Sequence, residues 1–147
     1  MEGQALFAYL CVRNAPAAID FYTRVFGARE TLRLTEPGGR VGHAELDFGG
    51  ATLMLAEEFP ECGFTAPQPG REGSVVLHLH VDDADDVIRR SVEAGATVEM
   101  EPKDHFYGER SGSIRDPFGH RWSIGHHIED VSPDEMQRRY TEQTGVT

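Results

Sequence analysis

The short stretch Leu10–Asn14 (LCVRN) is repeated in the second half of the chain as Leu79–Asp83 (LHVDD). Each copy ends in a short polar side chain, Asn14 or Asp83, that can cap the first turn of a helix. An apolar strand precedes each copy, and a segment with apolar residues at helical spacing follows it. Because one unit is present twice, the sequence predicts a chain made of two similar modules.

The residues around the two copies predict the same order of elements. In the first half the helix ends at Gly27, and the predicted strands are Ala5–Val12, Arg29–Thr35, Val41–Phe48 and Ala51–Glu57. In the second half the helix ends at Gly95, and the predicted strands are Ser74–Val81, Thr97–Pro102, Tyr107–Arg115 and Arg121–His126. The fold class that follows is α+β, with two tandem βαβββ modules that form a curled mixed sheet.

We expect these elements to form one domain of 147 residues. The first module covers about residues 4–58, a polar and proline-rich linker covers 59–73, and the second module covers about 74–127. Ser132–Glu135 (SPDE) has the pattern of a capping box with proline at the first helical position. A C-terminal helix is therefore expected over about residues 132–141.

The charge of the chain argues against two classes of partner. There are 14 Lys and Arg residues against 25 Asp and Glu, a formal net charge of −11, which repels nucleic acid and anionic membrane surfaces. No apolar stretch approaches the roughly 20 residues that span a bilayer. We therefore expect a cytoplasmic protein that binds neither nucleic acid nor membrane, with its 2 cysteines as free thiols.

Two longer stretches carry a family resemblance over nearly the whole chain. Ala18–Ala28 (AIDFYTRVFGA) and Asp116–Trp122 (DPFGHRW), within paired βαβββ modules, resemble the vicinal oxygen chelate superfamily of glyoxalase, bleomycin-resistance and dioxygenase proteins. His43–Leu46 and His126–Asp130 resemble its PhnB-like branch. The resemblance implies the glyoxalase/bleomycin resistance/dihydroxybiphenyl dioxygenase fold, and it implies a homodimer.

The resemblance also identifies the positions at which metal-using members hold their ion, on the first and fourth strands of each module. In this chain they fall on Phe7, Met54, Val76 and Ser123. None of these is a good ligand for a divalent metal, which prefers imidazole, carboxylate or thiolate. We therefore expect no cofactor and no metal at the usual positions.

A different centre is conceivable around two residues of one strand. His43 and Glu45 are two residues apart, so their side chains rise from the same face about 7 Å apart at the backbone. An imidazole beside a partly buried carboxylate favours general acid–base chemistry, and we take these two residues as catalytic candidates. The alternative is a non-standard divalent metal site formed by His43, Glu45 and His78.

Strand alternation predicts which other side chains face a ligand, because Trp122 and its apolar neighbours should point toward the helices. The candidate ligand-binding residues on the opposite face are Phe7, Tyr9, Met54, His78, His80, Tyr107, Glu109, Arg121 and Ser123. By contrast, we expect the histidines in turns and at a strand end to be exposed to solvent, namely His105, His120, His126 and His127.

Three functions are compatible with these features. The first is a homodimer that binds a small organic molecule in a concave trough without the usual metal centre. The second is an enzyme with acid–base chemistry of the isomerase or lyase type, either metal-free or with a non-standard His/Glu metal site. The third is a structural or regulatory dimer that has no ligand.

Overall fold

The computed structural model describes residues 3–145, which form two compact units. The first unit comprises the described residues up to Gly73 together with Pro117–His120, and the second comprises Ser74–Asp116 and the described residues from Arg121 on. Each unit contains a four-stranded mixed sheet and a helix that packs on it, so the predicted α+β fold of two modules is confirmed. Among the described helices, none has the length and apolar character needed to cross a membrane.

The first unit has the strand order β1-β4-β3-β2, in which β1 runs parallel to β4 and the other pairs are antiparallel. A single 3₁₀ turn, Pro60–Cys62, follows the sheet. The elements are β1 (Ala8–Val12), α1 (Ala15–Phe26), β2 (Arg29–Thr35), β3 (Val41–Asp47) and β4 (Thr52–Glu57).

The second unit repeats this arrangement with the strand order β5-β8-β7-β6, and β5 runs parallel to β8. It also carries the C-terminal helix. The elements are β5 (Val76–His80), α2 (Ala84–Glu93), β6 (Thr97–Asp104), β7 (Glu109–Arg115), β8 (Arg121–His127) and α3 (Pro133–Thr144).

The predicted helix caps are present. The Asn14 side chain accepts a hydrogen bond from the Ala17 N–H at 3.1 Å, and the Asp83 side chain accepts one from the Asp86 N–H at 3.2 Å. Helix α1 ends at Gly27, whose φ of 75° lies in the left-handed region that glycine adopts without steric cost. These local contacts set where each helix begins and therefore where the preceding strand ends.

Alternation along the strands divides each sheet into two faces, and we use "open face" for the one opposite the helix. In β3, Ala44 and Leu46 are buried, whereas His43 and Glu45 between and beside them remain partly exposed. In β8, Trp122 is only 3% exposed and its Nε1–H donates to the Asp116 carboxylate at 2.9 Å. The burial of Trp122 on the helix side agrees with the alternation inferred from the sequence.

Several element ends differ from the sequence expectations. Strands β1 and β5 are shorter than predicted, and Leu6, which we placed in the first strand, is 98% exposed. Tyr107 does not begin β7 but lies in a turn, closed by the Gly108 N–H donating to the His105 carbonyl at 3.2 Å. Glycine and local turn bonding override the strand pattern there.

The expected exposure of four histidines is wrong for three of them. Only His127 is exposed; the others are half-buried because each makes a hydrogen bond to the backbone. These bonds join His105 Nε2 to the Ser111 carbonyl (3.2 Å), His120 Nε2 to the Cys11 carbonyl (2.8 Å) and His126 Nδ1 to the Ala84 N–H (2.9 Å).

Candidate functional site

Three side chains on the open face of the first unit form a hydrogen-bonded relay. The Tyr9 hydroxyl lies 2.7 Å from His43 Nδ1, and His43 Nε2 lies 2.7 Å from Glu45 Oε2. In the sheet register Tyr9 and Glu45 both pair with Met54, so β4 separates the two strands that supply the relay. The His43 and Glu45 side chains are 23% and 29% exposed. Both catalytic candidates therefore lie together with Tyr9, a predicted ligand-binding residue.

The protonation of this relay follows from its geometry. Partial burial raises the pKa of the Tyr9 phenol, and the negative charge of Glu45 raises that pKa further. Tyr9 therefore keeps its proton at neutral pH and donates it to His43 Nδ1, while the Nε2–H of His43 donates to the Glu45 carboxylate. This order matches the way a carboxylate orients a histidine in hydrolase triads, with a phenol at the end of the chain.

A cavity of about 380 Å³ adjoins Tyr9 in the same unit. Phe64 meets the Tyr9 ring edge-on, with centroids 5.7 Å apart, and the guanidinium of Arg40 lies 3.7 Å from the centre of the Phe59 ring. The lining residues are Tyr9, Gly42, Ala56, Phe59, Cys62 and Phe64. This is the composition of a small-molecule site, with aromatic walls and few polar groups.

Part of this cavity wall was not predicted from the sequence. Phe59, Cys62 and Phe64 lie in the segment we interpreted as a linker. That segment folds back on itself, since the Phe59 N–H donates to the Phe64 carbonyl at 2.8 Å. The signal available in the sequence was two phenylalanines, Phe59 and Phe64, within a polar run.

The two thiols are expected to differ strongly in reactivity. Cys62 is exposed at the cavity, whereas Cys11 is buried, and burial raises the pKa of Cys11 to about 11. Because the thiolate is the reactive form, an aromatic disulfide reagent should label one thiol per native chain and the second only after unfolding in denaturant. Mass spectrometry of the labelled peptides should place the first label on Cys62; rapid labelling of Cys11 in the native chain contradicts the assignment.

The open face of the second unit carries a separate group of polar side chains. His80 Nε2 lies 3.0 Å from Glu109 Oε2, and His78 Nε2 lies 3.8 Å from Glu109 Oε1. The other imidazole nitrogen of His78 lies 2.9 Å from Ser123 Oγ. A β-carbon at Gly125, which lies between β5 and β7 in the register, would come within 3.4 Å of His78 Cε1, so glycine leaves room for that imidazole.

Two further predicted ligand-binding residues are already engaged within the second unit. Arg121 Nε donates to Glu99 Oε1 at 2.8 Å, and Arg115 binds the other oxygen of the same carboxylate. Partial burial acts to raise the pKa of Glu99, but the two arginines outweigh it and lower that pKa. Tyr107 stacks on the His105 ring with centroids 5.0 Å apart and lines a second cavity together with Glu109.

The residues at the family's metal positions do not fit a divalent ion. Phe7 and Val76 are 43% and 47% exposed apolar side chains, and Met54 offers a thioether. The fourth, Ser123, has its hydroxyl on His78. Hard divalent ions prefer oxygen donors such as carboxylate, and borderline ions also bind imidazole or thiolate. Within residues 3–145, no group of three or more His, Cys, Asp or Glu side chains is arranged to hold a metal ion.

The alternative metal set is divided between the two units. His43 and Glu45 lie in the first unit, and His78 lies in the second, where its imidazole faces Glu109 and Ser123. Each unit by itself therefore supplies at most two of the three residues that we named for a non-standard site.

Comparisons with known proteins identify relatives of this chain. An uncharacterized protein of Mycobacterium bovis is 40% identical over 142 residues, which cover 95% of this chain and 93% of that protein. An uncharacterized Mycobacterium tuberculosis protein is also 40% identical over 142 residues, with 95% and 84% covered.

Among solved structures, TioX from Micromonospora is 30% identical with a TM-score of 0.65, covering 86% of this chain and all of that one (100%). PA1353 from Pseudomonas aeruginosa is 23% identical with a TM-score of 0.68, covers 86% of this chain and 100% of that chain, and shares the fold. The model of one protein family matches residues 4–124. The chain therefore belongs to the Glyoxalase/Bleomycin resistance protein/Dioxygenase superfamily.

Proposed function

We propose that this chain binds a small organic molecule in the cavity of its first unit. The observation that carries the proposal is a cavity of about 380 Å³ that has aromatic walls and the hydroxyl of a hydrogen-bonded relay at its edge. Cavities of this size, largely apolar with a few placed polar groups, are typical of small-molecule sites. We expect a planar aromatic ligand, because Phe59 and Phe64 both line the cavity and ring pairs add attraction beyond the area they bury.

The relay favours a ligand with a hydrogen-bond donor. The Tyr9 proton is directed at His43, so the lone pairs of the phenol oxygen remain to accept a hydrogen bond from the ligand. Glu45 supports this polarity, since its carboxylate holds the Nε2 proton of His43 and leaves Nδ1 as the acceptor for Tyr9. A hydroxyl or N–H group on a flat molecule is therefore the expected recognition feature.

The proposed binding uses no divalent metal at the family's positions, because Phe7, Met54 and Val76 offer no suitable donor. We also retain the proposal of a cytoplasmic homodimer from the PhnB-like branch. Exposed apolar side chains on the open faces, such as Phe7 and Val76, support association with a second copy. Light scattering of the purified protein tests that part.

A second candidate function is acid–base catalysis, which the relay specifically favours. A substrate proton would pass to the Tyr9 oxygen as the phenol proton moves to His43, and the resulting imidazolium would be stabilised by Glu45. Tyr9 then gives its proton to another substrate atom and takes one back from His43, which restores the neutral imidazole and completes an isomerisation. If a leaving group departs instead, the outcome is a lyase reaction.

The cavity can be tested with a pair of matched probes, β-naphthol and its methyl ether, which lacks the donor proton. Bound probe should protect Cys62, which lines the cavity, from alkylation. Tyr9→Phe should weaken β-naphthol binding roughly 2- to 10-fold, the loss of one ordinary hydrogen bond, and leave the ether unchanged. Tyr140→Phe, which removes an exposed hydroxyl elsewhere, is the control.

Phe64→Ala should weaken binding of both probes, because it removes an apolar wall that the ether also contacts. Failure of either probe to protect Cys62 at millimolar concentration argues against the proposed function. The same conclusion follows if Phe64→Ala binds both probes as tightly as the unsubstituted chain.

A further inference from the structure

The C-terminal segment Ile128–Thr144, which follows the family match to residues 4–124, forms one wall of a second cavity that Tyr107 and Glu109 also line. The start of this segment is hydrogen-bonded to the turn between β6 and β7. The backbone N–H groups of Ile128 and Glu129 both donate to the Gly108 carbonyl, at 2.9 and 3.2 Å. The segment therefore lies directly against the turn that carries Tyr107.

Helix α3 makes a second set of contacts with this turn and with the segment. Arg139 binds Glu129 through two hydrogen bonds of 2.9 and 3.0 Å, and the same guanidinium donates to the Phe106 carbonyl at 2.7 Å. Tyr140 packs against the Phe106 ring with centroids 5.7 Å apart. These contacts join the helix to the same turn and hold the segment between them, Glu129–Ser132, in place as a wall.

The cavity that this wall bounds has a volume of about 470 Å³. Its lining differs from that of the first unit, because polar and acidic groups dominate. The lining residues are Tyr107, Glu109, His127, Glu129, Asp130, Val131 and Ser132. Three of these described residues are acids, and none is a lysine or arginine.

The charges around the cavity are negative overall, which favours the binding of a cation. Arg139 binds Glu129 in a paired arrangement, which neutralises that carboxylate. Within residues 3–145 the ion-pair partners of these two acids are imidazoles: Glu109 lies 3.0 Å from His80 and 3.8 Å from His78, and Asp130 lies 2.8 Å from His127. A neutral imidazole does not cancel a carboxylate charge. Glu109 is also the more enclosed of the two, with a side chain 20% exposed.

We propose that this cavity binds a small organic ammonium ion, with Glu109 as its counter-ion and Tyr107 as its apolar wall. An ammonium group is a hydrogen-bond donor that matches a carboxylate, and its organic portion can pack on an aromatic ring. The volume favours a molecule of several heavy atoms over a bare metal ion, whose ligands must lie about 2–2.5 Å from one point. The proposal is independent of the proposed function, since it uses no residue of the first unit.

Titration with benzylammonium at neutral pH tests this assignment, and uncharged benzyl alcohol of nearly the same shape serves as the matched probe. Benzylammonium should shift the backbone amide NMR signals of Tyr107, Glu109 and Val131, and it should bind at least about tenfold more tightly than the alcohol. Glu109→Gln should remove this preference. Glu93→Gln removes the same charge from the exposed end of α2 and should not change it.

The role of the C-terminal wall is tested by two adjacent arginines. Arg139→Gln combined with Glu129→Gln releases the contacts to Glu129 and Phe106 without changing the net charge, and it should weaken benzylammonium binding several-fold. Arg138→Gln breaks only contacts within α3, to Glu135 and Glu142, and should leave binding unchanged. Circular dichroism of both variants verifies that α3 remains folded, so that a loss of binding reports the wall.

Alkylation of Cys62 distinguishes binding in the second cavity from binding in the first. Benzylammonium binding should persist in alkylated protein even if β-naphthol binding is lost, because Cys62 lines only the cavity of the first unit. Equal affinity for benzyl alcohol, unchanged binding by Glu109→Gln, or binding of Zn²⁺ alone with no response to benzylammonium would each overturn the assignment.

Discussion

Gly108→Ala is expected to destabilise the second unit by about 2–5 kcal/mol, the sum of a backbone cost and a steric cost. Gly108 has a φ of 91°, a left-handed conformation that costs an alanine roughly 1–2 kcal/mol. A β-carbon at this position would also overlap the carbonyl oxygen of Glu129 and press on Val131, 3.1 Å away. The C-terminal segment would have to move away from the turn, and the second cavity would lose its wall.

Gly39→Ala separates the backbone cost from the steric cost. Gly39 has a similar φ of 99°, but a β-carbon there has open space, with no atom within 4 Å. Urea unfolding should therefore show a loss of only about 1–2 kcal/mol for Gly39→Ala and a larger loss for Gly108→Ala. Equal losses in the two variants would mean that the contact between Gly108 and the C-terminal segment is not tight.

Glu45→Gln should distinguish binding from catalysis in the first unit. If the relay transfers protons, loss of the carboxylate that stabilises the His43 imidazolium should lower turnover by about 10²–10⁴-fold. If the relay only orients Tyr9 toward a ligand, affinity should change by less than about tenfold, because the amide oxygen still accepts the His43 proton. The same variant thus separates the two candidate functions by two or more orders of magnitude.

A spectroscopic readout of Glu45→Gln needs no knowledge of the ligand. The pKa of Tyr9 is raised first by burial and then by the negative charge of Glu45. Removing that charge should lower the Tyr9 pKa toward its ordinary value of 10.0. The pKa should nevertheless stay above 10.0, because burial of the phenol still raises it. Carbon-13 NMR of labelled tyrosine, assigned with Tyr9→Phe, measures this shift.

Asp47→Asn is the matched control for that measurement. Asp47 is also an open-face acid of β3, but it is bound to Arg29 and to the Gly49 N–H rather than to the relay. The Tyr9 pKa should be the same in Asp47→Asn as in the unsubstituted chain. A Tyr9 pKa that is insensitive to Glu45→Gln would show that the carboxylate does not act on the phenol.

Parts of the candidate site could be predicted from the sequence because they depend on neighbours in one strand. The two-residue spacing of His43 and Glu45 places both on one face of β3, and they form a 2.7 Å hydrogen bond there. The same reasoning placed Trp122 among the buried residues. In each case the relation spans a few residues, so strand periodicity alone determines it.

Other parts depended on contacts that no local pattern encodes. Tyr9 reaches His43 across β4, which requires the register of three strands. Phe59 became a cavity wall because a segment that reads as a linker turns back on itself. His126 was expected in solvent, but it accepts the N–H of Ala84 at the start of α2. Tyr9 and His43 are 34 residues apart and Ala84 and His126 are 42 apart, whereas Phe59 meets Phe64 within one loop that has no periodic pattern.

The sequence by itself determined the two modules, the helix caps at Asn14 and Asp83 and the faces of the strands, because each depends on interactions within a few residues. Only the tertiary structure decided which open-face groups meet. It joined Tyr9 to His43 and Glu45, and it placed the C-terminal segment over Gly108 as the wall of an acidic cavity. The physical reason is that strand register and loop packing are set by the burial of residues distant in sequence, which leaves no periodic signal along the chain.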